Sequence, residues 1–106
     1  MAVKAHFKTA VDQREIVMDV QVAADMYVGY LVTLSGSGST AKITAATSAT
    51  PTEGQYIVAQ SDMTMHRRDY NVSEYEYSDK VKASTTLKKV ALFRVNDVTD
   101  VITVTV

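Results

Sequence analysis

Three stretches of the chain alternate apolar and polar residues with a period of two. In the first, Ile16, Met18, Val20 and Val22 share one side, and Asp19 and Gln21 lie on the other. Val28, Tyr30, Val32 and Leu34 continue the alternation in a second run, and Ile102, Val104 and Val106 alternate with Thr103 and Thr105 in a third. Successive side chains of an extended strand point to opposite faces, so each run predicts a strand with one buried face. Three such runs together predict a mainly antiparallel sheet. Residues 55–59 (Gln-Tyr-Ile-Val-Ala) are short and continuous, as a strand covered on both faces would be. The spacing in residues 87–95 suits a helix nearly as well, but Val90, Phe93 and Val95 and the lack of a preceding cap assign it to a strand. Residues 3–7 read either as a first strand or as an arm that packs on a neighbour.

The breaks between these runs are informative. Ser35-Gly-Ser-Gly-Ser-Thr40 joins two strand-like runs and predicts a flexible hairpin tip. A second small-residue stretch begins at Ala45 and contains the only proline, Pro51, which biases Thr50 toward extended geometry and leads into the strand at Gln55. Asn96-Asp97 predicts a turn, and with it a final hairpin between residues 87–95 and 101–106. Residues 22–26 have room for one helical turn and residues 78–84 for two at most, without a sustained helical stripe. At most one short helix is expected.

Composition supports the same class. Val, Ile, Thr, Tyr and Phe supply 41 of 106 residues and Leu only 4, and β-branched and aromatic side chains fit a pleated, half-buried surface. The length suits one domain. We therefore expect a single all-β domain over residues 1–106, a small barrel or sandwich of about six or seven strands. A possible N-terminal arm spans 1–10, and flexible loops span 35–40 and 45–54. Eleven basic and twelve acidic residues leave a formal charge of −1, unlike the basic excess of a dedicated nucleic-acid binder. The absence of cysteine excludes a disulfide scaffold, a thiolate metal site and a cysteine nucleophile. The first ten residues carry Lys4 and Lys8 and no apolar leader, so synthesis and retention in a cytoplasm are expected, with no membrane partner.

Charged and aromatic side chains concentrate between Asp62 and Lys82. His66 beside Asp69 has the composition of a general base and its orienter, but no nucleophile, oxyanion donor or metal-ligand spacing accompanies the pair. His6 and His66 are sixty residues apart, and Asp62, Asp69 and Asp79 do not follow a calcium-loop register. No catalytic residue, metal or cofactor is expected. Tyr70, Tyr75 and Tyr77 with Arg67 and Arg68 have the stacking faces and cations of a small barrel that binds single-stranded nucleic acid. The interspersed Asp69, Glu74, Glu76 and Asp79 would repel phosphate, which makes that the alternative reading. Tyrosine and arginine are also the residues most enriched at protein–protein hot spots. The alternation Glu74-Tyr75-Glu76-Tyr77 sets both tyrosines on one face of a strand, as core residues or as interface anchors. The candidate interface residues are Val3, Phe7, Arg67, Arg68, Tyr70, Tyr75 and Tyr77.

The stretch Tyr56-Ile-Val-Ala-Gln-Ser-Asp-Met-Thr-Met65, then Asp69-Tyr70, Glu76-Tyr77-Ser-Asp-Lys-Val81, Lys88-Lys-Val-Ala-Leu-Phe-Arg-Val95 and Asp100-Val-Ile102, resembles small virion proteins of tailed bacteriophages of the capsid decoration, or cement, type. The match covers roughly the carboxyl-terminal half and consists of structural residues. The resemblance implies a non-enzymatic protein made in the host cytoplasm and carried on the capsid surface. Its partners would be the major capsid protein or other virion subunits, and copies of itself in a dimer or trimer.

Overall fold

The computed structural model describes residues 2–9, 15–60 and 80–106. Among these residues the chain is all-β. Its strands are β1 (Val3–Phe7), β2 (Glu15–Val22), β3 (Met26–Tyr27), β4 (Leu31–Ser35), β5 (Lys42–Ala45), β6 (Gln55–Gln60), β7 (Lys80–Val81), β8 (Ser84–Arg94) and β9 (Val101–Thr105). Seven of them have four residues or more. The helical content among the described residues is two single 3-10 turns, Gly38–Thr40 and Val98–Asp100.

Five strands close into a barrel in the order β2-β5-β4-β6-β8. All neighbours are antiparallel except β2 and β5, which run parallel over a short seam of Gln21↔Lys42 and Val22↔Ile43. Backbone bonds from Gln21 N–H to the Ala41 carbonyl (2.8 Å) and from Ala23 N–H to the Ile43 carbonyl (3.1 Å) hold that seam. Closure removes the unpaired strand edges that an open sheet of this size would expose. The register of the 11-residue strand β8 against β2 shifts between Val20 and Val22, where the exposed residues 85–87 form a bulge. The barrel interior is filled by Val20, Val22, Val32, Ile43, Val58, Val90 and Leu92, joined by Met26 and Val81 from the small β3–β7 ribbon.

A second layer lies on the barrel wall. Strand β1 pairs antiparallel with β9, from Val3↔Thr105 to Phe7↔Val101. The inner face of this ribbon, Val3, Ala5 and Val101, packs on Leu31, Ile57 and Val95, which project outward from the barrel strands and the end of β8. Strand β6 is therefore buried on both faces, with Val58 inside the barrel and Ile57 under the ribbon. That is the arrangement its continuous apolar run predicts. Val90, Ala91 and Leu92 are likewise consecutive and all buried.

The hairpin tip at residues 35–40 joins β4 to β5 as expected. The Thr40 hydroxyl accepts from the Ser37 N–H (3.3 Å) and donates to the Ser37 carbonyl (2.9 Å). Gly36 has φ +74°, and a Cβ there would collide with the Thr40 carbonyl oxygen, so glycine is required by both backbone and space. The connection 46–54 is pinned by the buried Gln55. Its amide accepts from the Thr52 N–H (2.8 Å) and donates to the Thr33 hydroxyl (3.2 Å).

Three sequence expectations are corrected. The alternation at Val28 and Tyr30 does not start a strand: Gly29 has φ +97° and turns the chain, and β4 begins at Leu31. Residues 22–26 form no helical turn; they pass through a bend directly from β2 to β3, and the described part of 78–84 contains strand β7 and the start of β8. Asn96 and Asp97 do turn the chain, but no final hairpin forms. Both edges of β8 are occupied, by β2 and by β6, so β9 crosses to β1 instead.

Candidate interaction surface

The outward face of the β1–β9 ribbon is the most unusual surface among the described residues. Strand parity places Lys4 and His6 of β1 outward, beside Ile102, Val104 and Val106 at the end of the chain. These three are 41%, 57% and 60% exposed. They are the residues whose alternation predicts the buried side of the last strand, and the structure reverses that face. The reason is Val101: it is buried against Val95 and Val98 where the chain enters the strand, and period two then turns Thr103 inward. There the Thr103 hydroxyl donates to the Ala49 carbonyl at 2.6 Å, so a polar residue is satisfied under the ribbon.

The route of the chain into this ribbon is set by two carboxylates. Asp97 caps the 3-10 turn, accepting from the Thr99 hydroxyl (2.7 Å) and the Thr99 N–H (3.0 Å), and these bonds hold its carboxyl below the ordinary range. Asp100 accepts from the Thr9 hydroxyl at 3.2 and 3.3 Å, and its carbonyl from the Lys8 N–H at 2.7 Å. At the other end, the Val106 N–H donates to the Ala2 carbonyl at 2.8 Å.

These last two bonds define which backbone groups of β9 are used. In an antiparallel pair, alternate residues exchange both hydrogen bonds with the neighbour. Ile102 and Val104 do so with His6 and Lys4 of β1, flanked by single bonds to the Asp100 carbonyl and from the Val106 N–H (the Asp100 N–H donates to the Asp97 carbonyl at 3.0 Å), so the N–H and C=O groups of Val101, Thr103 and Thr105 point to the opposite edge. The Val101 N–H bonds the Val98 carbonyl, closing the turn. The N–H groups of Thr103 and Thr105 have no backbone partner among the described residues. By contrast, the outer edge of β1 is partly covered, since the Ala5 N–H donates to the Gly29 carbonyl (2.8 Å) and Lys4 bridges to Tyr30.

Two clefts occur among the described residues, one beside β1 and one on the barrel wall. One of about 230 Å³ lies between β1 and β6, lined by Phe7, Val28, Ile57, Ala59 and Phe93 with His6 at its wall. Another of about 250 Å³ is lined by the hydroxyl residues Thr33, Thr44, Thr47 and Ser48 and the Gln55 amide. Elsewhere, Asp25 accepts from the Ala83 N–H (2.8 Å) and pairs with Lys80 (3.2 Å). Both bonds hold the Asp25 carboxyl below its ordinary range, and the same pairing raises the Lys80 ammonium. This contact ties β7 to the connection after β2. Among the described residues, no group of three or more His, Asp or Glu is placed to hold a metal ion, and no helix is long and apolar enough to cross a membrane.

Of the candidate interface residues, Val3 is fully buried in the second core, and Phe7 is half-buried with its ring edge-on to Phe93 at 5.9 Å. The surface that β1 presents is therefore Lys4 and His6. Arg67, Arg68, Tyr70, Tyr75 and Tyr77 lie outside the described residues, as do His66, Asp69, Glu74 and Glu76. The residues that sequence reasoning placed on the wrong face, Ile102, Val104 and Val106, carried one usable signal. Both faces of the last strand are β-branched and none of its residues is charged, so alternation alone could not choose the inner one. No protein-family model, curated protein or solved structure matches the chain.

Proposed function

We propose that the chain is a non-enzymatic structural protein of a tailed-phage virion, a capsid decoration protein that binds the major capsid protein or another virion subunit on the outer surface of the head. The observation that carries this reading is the outward, uncharged strip Ile102–Val104–Val106, displayed on a ribbon that is itself fastened to a closed barrel. Contiguous exposed apolar side chains rimmed by polar ones mark protein-binding surfaces. A rigid support lets such a surface bind without a large ordering cost. The sequence resemblance to decoration proteins supplies the class of partner, and repetition of modest contacts over a symmetric shell supplies the avidity.

Cosedimentation with empty phage heads tests the proposal. Saturable binding that survives nuclease treatment is expected, and replacing Ile102 and Val104 together by Asp weakens it at least about tenfold, since charge on an apolar contact must be desolvated. Failure to bind heads, together with binding to single-stranded nucleic acid that weakens steeply with salt, would replace this reading by the nucleic-acid alternative.

A further inference from the structure

We propose that the open edge of β9 is the self-association surface of the protein. Two copies pair their β9 strands antiparallel about a two-fold axis beside Val104, merging two ribbons into one four-stranded sheet. This deepens the reading above and rests on it for its biological setting, while its physical basis is separate.

A free strand edge asks for another strand, because its N–H and C=O groups alternate with a spacing that only extended backbone matches. Among the described residues, the N–H groups on this edge without a backbone partner are those of Thr103 and Thr105. Setting Thr103 of one copy against Thr105 of the other uses them all and leaves the Val101 N–H in its turn. The same register places Val104 opposite Val104, and Ile102 opposite Val106. A shift to Thr103 opposite Thr103 would instead call on Val101, whose N–H already bonds the Val98 carbonyl.

Charge favours a second copy over an unrelated strand. Natural edge strands are blunted by charges, prolines or bulges, and residues 101–106 (Val-Ile-Thr-Val-Thr-Val) contain none of these. Self-pairing therefore sets no like charges opposite one another, whereas a charged partner strand would bring its charge against Ile102 and Val104. The nearest cations, Lys4 and His6, sit one strand behind the seam. The two Lys4 positions are then three strand spacings apart, roughly 14 Å, beyond the screening length of about 8 Å at physiological salt. Assembly stops at two, because the outer edge of β1 is already covered by Gly29 and Tyr30.

The test uses the full chain, which contains no cysteine of its own. Light scattering across a concentration series is expected to give a dimer. In Val104→Cys the two introduced thiols face each other as a non-hydrogen-bonded pair with Cα atoms about 4.5 Å apart, within disulfide reach. Mild oxidation should then yield a covalent dimer, while Ile102→Cys, which faces Val106 of the other copy and stands roughly 14 Å from its twin, should not cross-link within the dimer. Val104→Lys sets two ammonium groups opposite one another and should raise the dimer dissociation constant roughly tenfold or more with an unchanged circular-dichroism spectrum. A monomer at every concentration, a trimer or larger ring, or equal cross-linking of the two cysteine variants would overturn the pairing. A dimer that ignores phage heads would remove the decoration reading and leave the edge pairing intact; a monomer that binds heads would do the reverse.

Discussion

The barrel and the ribbon are built from the same β-branched vocabulary and end in opposite situations. Each barrel strand has a hydrogen-bonded neighbour on both sides, and the interior is filled by Val20, Val32, Ile43, Val58, Val90 and Leu92. The ribbon has two strands, one core-facing side, an outer side with an apolar strip and, among the described residues, an edge of β9 with no strand beside it. A two-stranded ribbon is marginal on its own. This one persists because Val3, Ala5 and Val101 are buried on Leu31, Ile57 and Val95. The difference teaches that burial follows from what lies across from a strand face, and that the alternation in the strand only says which residues move together.

The contrast can be broken most severely at Leu92, which is fully buried in the barrel interior. Leu92→Ala is expected to cost about 2–5 kcal/mol through lost transfer energy and a residual cavity. Denaturant titration should show the whole transition moving, barrel and ribbon together. A loss below about 1 kcal/mol would mean that the barrel relaxes around the gap, and that closure contributes less than its packing suggests.

Val3→Ala sharpens the comparison from the other side. It removes about 2 kcal/mol of burial from the ribbon's inner face. Because the barrel interior is untouched, amide hydrogen exchange should quicken in β1 and β9 while β4, β6 and β8 remain protected. Equal acceleration in both regions would show that ribbon and barrel open as one unit.

The smallest effect is electrostatic. Asp25 and Asp97 both have carboxyls held below the ordinary value, which is about 3.9. Their contribution is therefore complete above that value and disappears as pH falls through the depressed folded-state pKa. Lys80 is raised, so its share is complete at neutral pH and is lost on the alkaline side, as pH rises through its raised pKa. The urea midpoint should fall in acid below about pH 4. Asp97→Asn should flatten that fall and loosen β9 in hydrogen exchange, whereas Asp25→Asn should flatten it and loosen β7. Identical exchange patterns for the two variants would remove the assignment of each carboxylate to its own region.

Much of the barrel was legible along the chain. The alternation of Ile16, Met18, Val20 and Val22 placed β2, the glycine-serine tip placed the β4–β5 hairpin, and the continuous run at Gln55 announced a strand covered twice. The candidate surface was legible only in part. Val3 and Phe7 belong to the ribbon, yet the outward residues of β1 are Lys4 and His6, and the apolar display is on β9. Residue spacing carries no record of which strand will be free to pair.

What the sequence by itself determined is the strand class, most strand positions, the turn at Asn96-Asp97 and the chemistry that zero cysteine excludes. These follow from local sterics and from period two, which act within a few residues. Only the tertiary structure decided that β9 leaves β8 for β1, and that Ile102, Val104 and Val106 face outward. Those outcomes depend on β2 and β6 having already filled both edges of β8, and on Val101 anchoring the strand's phase. Each is a contact between residues far apart in the chain, which no local pattern encodes.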